Sequence, residues 1–168
     1  ISVGAHLKGK VIDVNNALDG EGPFSPERAG TIPAGQLVKK CFEKNATIDN
    51  IKKIINGEGG LMAYFGTNSA YQIELMALDG DPKAILIQDA MAYQVAKEIG
   101  AMSVALSGQV EAIALTGGLA NWDRLVKLIK DRVEFLAPVY LYPGEDELGS
   151  LALGALRYLK GEENCKEY

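Results

Sequence analysis

Apolar and polar residues alternate through the first fourteen positions, and then the alternation stops. ISVGAHL and KVIDV, residues 1–7 and 10–14, are two short runs separated by Lys8-Gly9, the pattern of an antiparallel hairpin with a tight turn. From Asn15 to Gly35 glycine and proline recur too often for a regular helix or an inner strand, which predicts a long loop beside the sheet. Such loops inside compact domains usually carry function. Helical spacing then returns at Pro33–Glu43 (Leu37, Val38, Cys41, Phe42), at Thr47–Asn56 (Ile48, Ile51, Ile54, Ile55, with Thr47 as N-cap) and at Ser69–Leu78. Between the last two, GEGGLMAYFGTN reads equally as strand or extended loop. Asp81-Pro82 puts an N-cap and a first-turn proline ahead of the longest helix, which runs to about Leu106 on Ile85, Ala92, Val95, Ala96, Ile99 and Met102. A buried strand (Val110–Leu115), a Thr116-Gly117-Gly118 turn, a helix (Asn121–Val133), a second strand (Pro138–Tyr142) and a final helix (Gly144–Leu159) complete the pattern. The expectation is one α/β domain, residues 1–168, with a mixed sheet and helices.

Composition narrows the function classes. Among 168 residues, 17 basic and 22 acidic side chains leave a net charge of −5, and no basic run exceeds the Lys39-Lys40 and Lys52-Lys53 pairs. Binding to nucleic acid or to an anionic membrane surface, which needs clustered cations, is therefore not expected. Cys41 and Cys165 have neither C-x-x-C spacing nor a histidine companion, His6 being the only one, so no zinc site or redox pair forms. The pattern has no bilayer-length apolar run and no leader, which reads as a cytoplasmic protein. The chain opens on Ile1-Ser2-Val3, without methionine and already within the alternation, as a strand entered midway would.

Three segments carry candidate chemistry. In VEAIALTGGLANWDRL a strand ends in Thr-Gly-Gly close to a helix start, which suits a nucleotide phosphate or ribose, or else is a plain turn in which Gly117 takes a positive φ. In GPFSPERAGTIPAG, Arg28 sits in a loop stiffened by Pro23 and Pro26, where a guanidinium suits a phosphoryl or carboxylate group or is merely solvated. Asp13, Asn15 and Asn16 lie just upstream, where a divalent ion or phosphate could approach. Glu145, Asp146 and Glu147 follow Pro143-Gly144, and acids there complement a helix dipole or attend a magnesium ion.

With these segments in view the chain resembles the butyrate kinase branch of the acetate and butyrate kinase family. ISVGAHLKG, with Ser2, Val3, Ala5 and Gly9, is similar to the second half of the family signature that follows a His-Leu-Gly-x-Gly phosphate loop. DVNNALDGEGPFSPERAGTIPAG, GEGGLMAYFGTN, AMAYQVAKEIGA, LTGGLA and YPGEDE follow in the family order. The resemblance implies the acetate kinase, sugar kinase, Hsp70 and actin fold, ribonuclease H-like, and within it the C-terminal nucleotide-binding domain without its first strand and phosphate loop. It implies ATP/ADP and Mg²⁺ as cofactors, a short-chain carboxylate such as butanoate as acceptor, and an N-terminal domain and a second copy as partners. By the same resemblance Arg28 is the catalytic arginine, Gly117, Gly118 and Leu119 belong to the adenosine motif, and Glu147 attends the magnesium. In GTNSAY, Ser69 and Tyr71 stand where the family commonly has Asp and Arg, the latter expected to help hold adenine, so Tyr71 would stack on the base instead. Half of the clamp is missing from such a segment, which implies no activity in isolation. The alternative is a non-catalytic remnant or dimerisation module of the same superfamily, meeting its copy through the long helix.

Overall fold

The computed structural model describes residues 1–144 and 146–164, with Glu147 described by its backbone alone. Strands β1 (Gly4–Leu7) and β2 (Lys10–Val14) pair antiparallel. Lys8 and Gly9 both take positive φ, 52° and 77°, which matches the twist of a two-residue hairpin turn. After the long loop come α1 (Ala34–Cys41) and α2 (Ile48–Ile55), where the Thr47 hydroxyl accepts from the Asn50 N–H at 3.2 Å. Neither helix buries a residue.

GEGGLMAYFGTN resolves as a helix, α3 (Gly60–Phe65), and the reason lies outside the segment. A short glycine-led stretch is a poor helix former, and its first N–H groups need acceptors. The preceding loop supplies them. The Leu61 N–H donates to the Ser25 carbonyl at 3.2 Å and the Met62 N–H to that of Pro26 at 2.9 Å, while Leu61 is fully buried. The helix end and the loop therefore order each other.

α4 (Ala70–Leu78) starts on a Ser69 cap that accepts from the Gln72 N–H at 3.3 Å. α5 (Pro82–Ala105) starts on Asp81, whose carboxylate accepts from Lys83 and Ala84. It is the scaffold, with Ala84, Met91 and Ala92 wholly buried against α4 and α6 (Asp123–Val133). Its apolar positions Ala92, Val95, Ala96 and Ile99 belong to the chain's own core. Burying a side chain such as Met91 or Leu125 contributes roughly 1.5–3 kcal/mol over leaving it in water.

β3 (Ile113–Gly117) and β4 (Val139–Pro143) flank α6 and pair parallel, from Ile113 with Val139 to Gly117 with Pro143. β3 starts three residues later than the apolar run suggests and absorbs Thr116 and Gly117. α7 (Glu147–Leu159) follows. The α/β class stands, but the strands make two separate two-stranded sheets, one antiparallel and one parallel. β1 pairs only with β2, and β3 only with β4, among the described residues. No described strand joins the two sheets.

Candidate functional site

Where the sheets fail to meet there is a cleft of about 1230 Å³. Gly4, His6 and Val11 of the hairpin line it together with Ile113–Gly117 of β3, and Val95, Ile99 and Ser103 of α5 also contribute. His6 is exposed on its wall. Arg28 reaches the same cleft from the loop, as do Gly117 and Leu119.

The loop is rigid for reasons that can be named. Phe24 is buried against Tyr64 edge to face at 6.1 Å, and its N–H donates to the Gln94 side chain at 3.0 Å. Ser25 donates its N–H to the Arg28 carbonyl at 3.0 Å and accepts the Arg28 N–H at 3.2 Å on its hydroxyl. Asn68, just before α4, donates to Glu27 at 3.1 Å. Arg28 itself is half-buried, its Nε 3.4 Å from the Asn56 side-chain oxygen, and it forms no ion pair among the described residues. A guanidinium on a cleft wall without an ion pair among the described residues is matched to a planar or tetrahedral anion.

Asn15 has a different job from the ion approach its sequence position suggests. It accepts the Val3 N–H at 2.7 Å and donates to the Ile1 and Glu21 carbonyls, so its amide ties the first residues to the loop. A Cβ at Gly22 would overlap that amide.

The Thr-Gly-Gly turn also differs from a row of open donors. Gly117 takes φ 85°, a conformation that favours glycine, but its N–H donates to the Gly144 carbonyl at 3.1 Å. Gly117 therefore shapes the cleft without offering that N–H to a phosphate. A 3-10 turn, Gly118–Asn121, separates the strand from α6, closed by the Asn121 amide donating to the Gly118 carbonyl at 3.1 Å.

On the other side of this turn lies a slot of about 300 Å³. Ala70, Tyr71 and Glu74 form one wall, and Gly118, Leu119, Asn121 and Trp122 the other. Leu119 lines both slot and cleft. Tyr71 is 68% exposed, while Trp122 is 3% exposed and its indole N–H is buried without a partner. An unmatched buried donor costs about 1–3 kcal/mol. Desolvation, and then the neighbouring Asp123 charge, push the Glu74 carboxyl above its ordinary value of 4.5. Ser69 is not part of the slot, since its hydroxyl caps α4.

The structure thus brings Arg28, Gly117 and Leu119 to one cleft, and Tyr71, Gly118 and Leu119 to one slot beside it. Glu145 lies outside the described residues, as do Cys165 and the Glu147 side chain; Glu147 is the first residue of α7. Asp146 lines the cleft and accepts the Gly149 N–H at 3.0 Å as the cap of α7. No group of three His, Cys, Asp or Glu side chains converges on a cation among the described residues, so these donors alone do not form a metal site. Sequence reading missed Glu74 and Asn121. The signal for Glu74 was its place one helical turn after Tyr71, but the opposite wall comes from far along the chain.

The fold is an α/β domain of the kind seen in solved propionate and acetate kinases. A propionate kinase from Francisella tularensis subsp. tularensis SCHU S4 superposes with a TM-score of 0.76 at 21% identity, over 88% of this chain and 44% of that one. The acetate kinase of Porphyromonas gingivalis gives 0.78 at 21%, over 92% and 46%. That of Entamoeba histolytica gives 0.78 at 20%, over 92% and 48%. Residues 2–138 match the acetokinase family, and the chain belongs to that family. It spans less than half the length of these solved kinases. No helix among the described residues is long and apolar enough to cross a membrane.

Proposed function

We propose that this chain is the nucleotide-holding half of a short-chain carboxylate kinase that makes acyl phosphate and ADP from ATP, with butanoate as the acceptor favoured by the motif resemblance. One observation carries the reading: Leu119 lines both the slot and the Arg28 cleft. A nucleotide with its base in the slot would cross Leu119 and Gly117 and direct its phosphates toward Arg28. A carboxylate oxygen would then attack the γ-phosphorus, and the bond from that phosphorus to the bridging oxygen would break to release ADP. In such transfers positioning and charge stabilisation do most of the catalysis, which is the work assigned to Arg28. Mg²⁺ would be held chiefly by phosphate oxygens, with Glu147 the carboxylate at its side, and no step is drawn through it.

The unpaired edges of β1 and β3 support a further part of the reading. An extended segment from the remainder of a complete enzyme, entering the cleft, would join both sheets into one and bring phosphate-binding backbone beside Arg28. The chain alone should therefore form no acyl phosphate from ATP and butanoate, measured as the hydroxamate. A chimera in which it replaces the matched region of the Porphyromonas gingivalis acetate kinase should turn over acetate. A folded but inert chimera, or clear turnover by the chain alone, would overturn the reading.

A second reading, an assembly module without catalysis, is favoured by α7, which exposes Leu148, Leu151 and Leu159. The chimera separates the two: an assembly module leaves it inert, whereas the kinase half restores acetate turnover.

A further inference from the structure

We propose that Glu74 selects the base in the slot, its carboxylate accepting a hydrogen bond from the amino group of an aminopurine nucleotide such as ADP. The inference rests on the nucleotide reading above and deepens it. Tyr71 and Glu74 lie one turn apart on α4 and line the same recess. Facing them are Leu119 and Trp122, so the walls are aromatic and aliphatic and suit a flat, uncharged ring. The carboxylate excludes phosphate from this end, because like charges repel. Across Leu119 stands Arg28, a cation without an ion pair among the described residues. The two recesses are therefore matched to a ligand that is neutral at one end and anionic at the other.

Within the slot an ionised carboxylate only accepts, and the base that satisfies it must present N–H. Trp122 adds a largely buried aromatic wall to the slot, against which a flat ring can pack. Adenine supplies the amino donor on a flat, uncharged ring. Unsubstituted purine keeps the ring and the acceptors and lacks only the amino group, so it isolates what Glu74 contributes.

Trp122 is the single tryptophan of the chain and lines the slot, so its fluorescence reports occupancy of this recess. The experiment titrates the chain with ADP and with purine riboside 5′-diphosphate, following tryptophan quenching. ADP is expected to bind about 10-fold tighter, as a hydrogen bond to a charged acceptor warrants. In Glu74→Ala the two should come within about twofold of each other, and Glu74→Gln, which keeps an acceptor oxygen, should hold part of the preference. A merely structural Glu74 would change both affinities together and leave their ratio alone. Equal affinities in the unmodified chain, or an unchanged ratio in a folded Glu74→Ala, would overturn the role of Glu74 and leave the nucleotide reading standing. No saturable quenching by ADP at millimolar concentration would remove both.

Discussion

Arg28 and Glu74 are opposite in charge and in the way their surroundings treat them. Arg28 is held by backbone bonds to Ser25 and makes only a long contact to Asn56, so little folding energy depends on its side chain. Its loss should therefore appear in chemistry. In an active chimera, Arg28→Ala is expected to lower kcat by about 10²-fold or more, roughly 3–4 kcal/mol, with a much smaller change in nucleotide KM. Arg28→Lys should rescue little, because an ammonium lacks the planar fork. A near-normal kcat in Arg28→Ala would leave the loop a structural element only. Glu74 lies in a less favourable setting, where desolvation and Asp123 raise its pKa in the folded state. A raised carboxyl pKa means that the folded state binds the proton more tightly than the unfolded one. The stability this confers is fully present below the ordinary value of 4.5 and is lost as pH rises through the folded pKa. Glu74→Gln should consequently melt higher than the unmodified chain at pH values near 7, and the difference should shrink below pH 4.5; melting curves across that window check it. A difference in Tm that grows on acidification would contradict the direction.

At the scale of elements, the same glycine-to-alanine change should have opposite signs on two helices. Gly60 begins α3 at φ 58°, and a Cβ there would overlap the Ser25 carbonyl oxygen that accepts the Leu61 N–H. Gly60→Ala is expected to destabilise the fold by about 2–4 kcal/mol, through positive-φ strain and forced separation of loop from helix. Gly100 lies inside α5 with nothing near its missing Cβ. Gly100→Ala should stabilise by about 0.5–1 kcal/mol, because alanine loses less backbone entropy on forming helix. Denaturant midpoints measure both, and similar signs at the two positions would refute the packing account. The α5 start is a third case: Asp81 accepts two N–H groups, and Asp81→Ala should cost about 1 kcal/mol.

For the whole molecule the open question is physical, since two short sheets each leave an edge along one cleft. Exposed strand edges are templates for further pairing, and a two-stranded sheet is weak alone. Amides of β1 and β3 should exchange quickly in the chain by itself and slow markedly in the chimera, where an added strand can pair with both; hydrogen exchange reads this directly. Unchanged protection would mean that the cleft is not filled by a strand. How far the sequence reached follows from the range of each signal. Thr47 and Asp81 cap the helices they were expected to cap, and Lys8-Gly9 makes the expected hairpin, because a cap or a tight turn is settled within four residues. Motif order along the chain likewise made the family legible. Contacts between distant segments decided the rest. α3 is helical because loop carbonyls at Ser25 and Pro26 accept its first N–H groups, and the Gly117 N–H is occupied because Gly144 returns beside it. The slot exists only where α4 packs beside the turn after β3, which sets Tyr71 and Glu74 opposite Leu119 and Trp122. Local sequence determined the capped helices and the hairpin, since those rest on bonds between near neighbours, and the order of motifs determined the family. Tertiary structure alone decided which side chains share a recess, because that depends on how elements remote in sequence pack together.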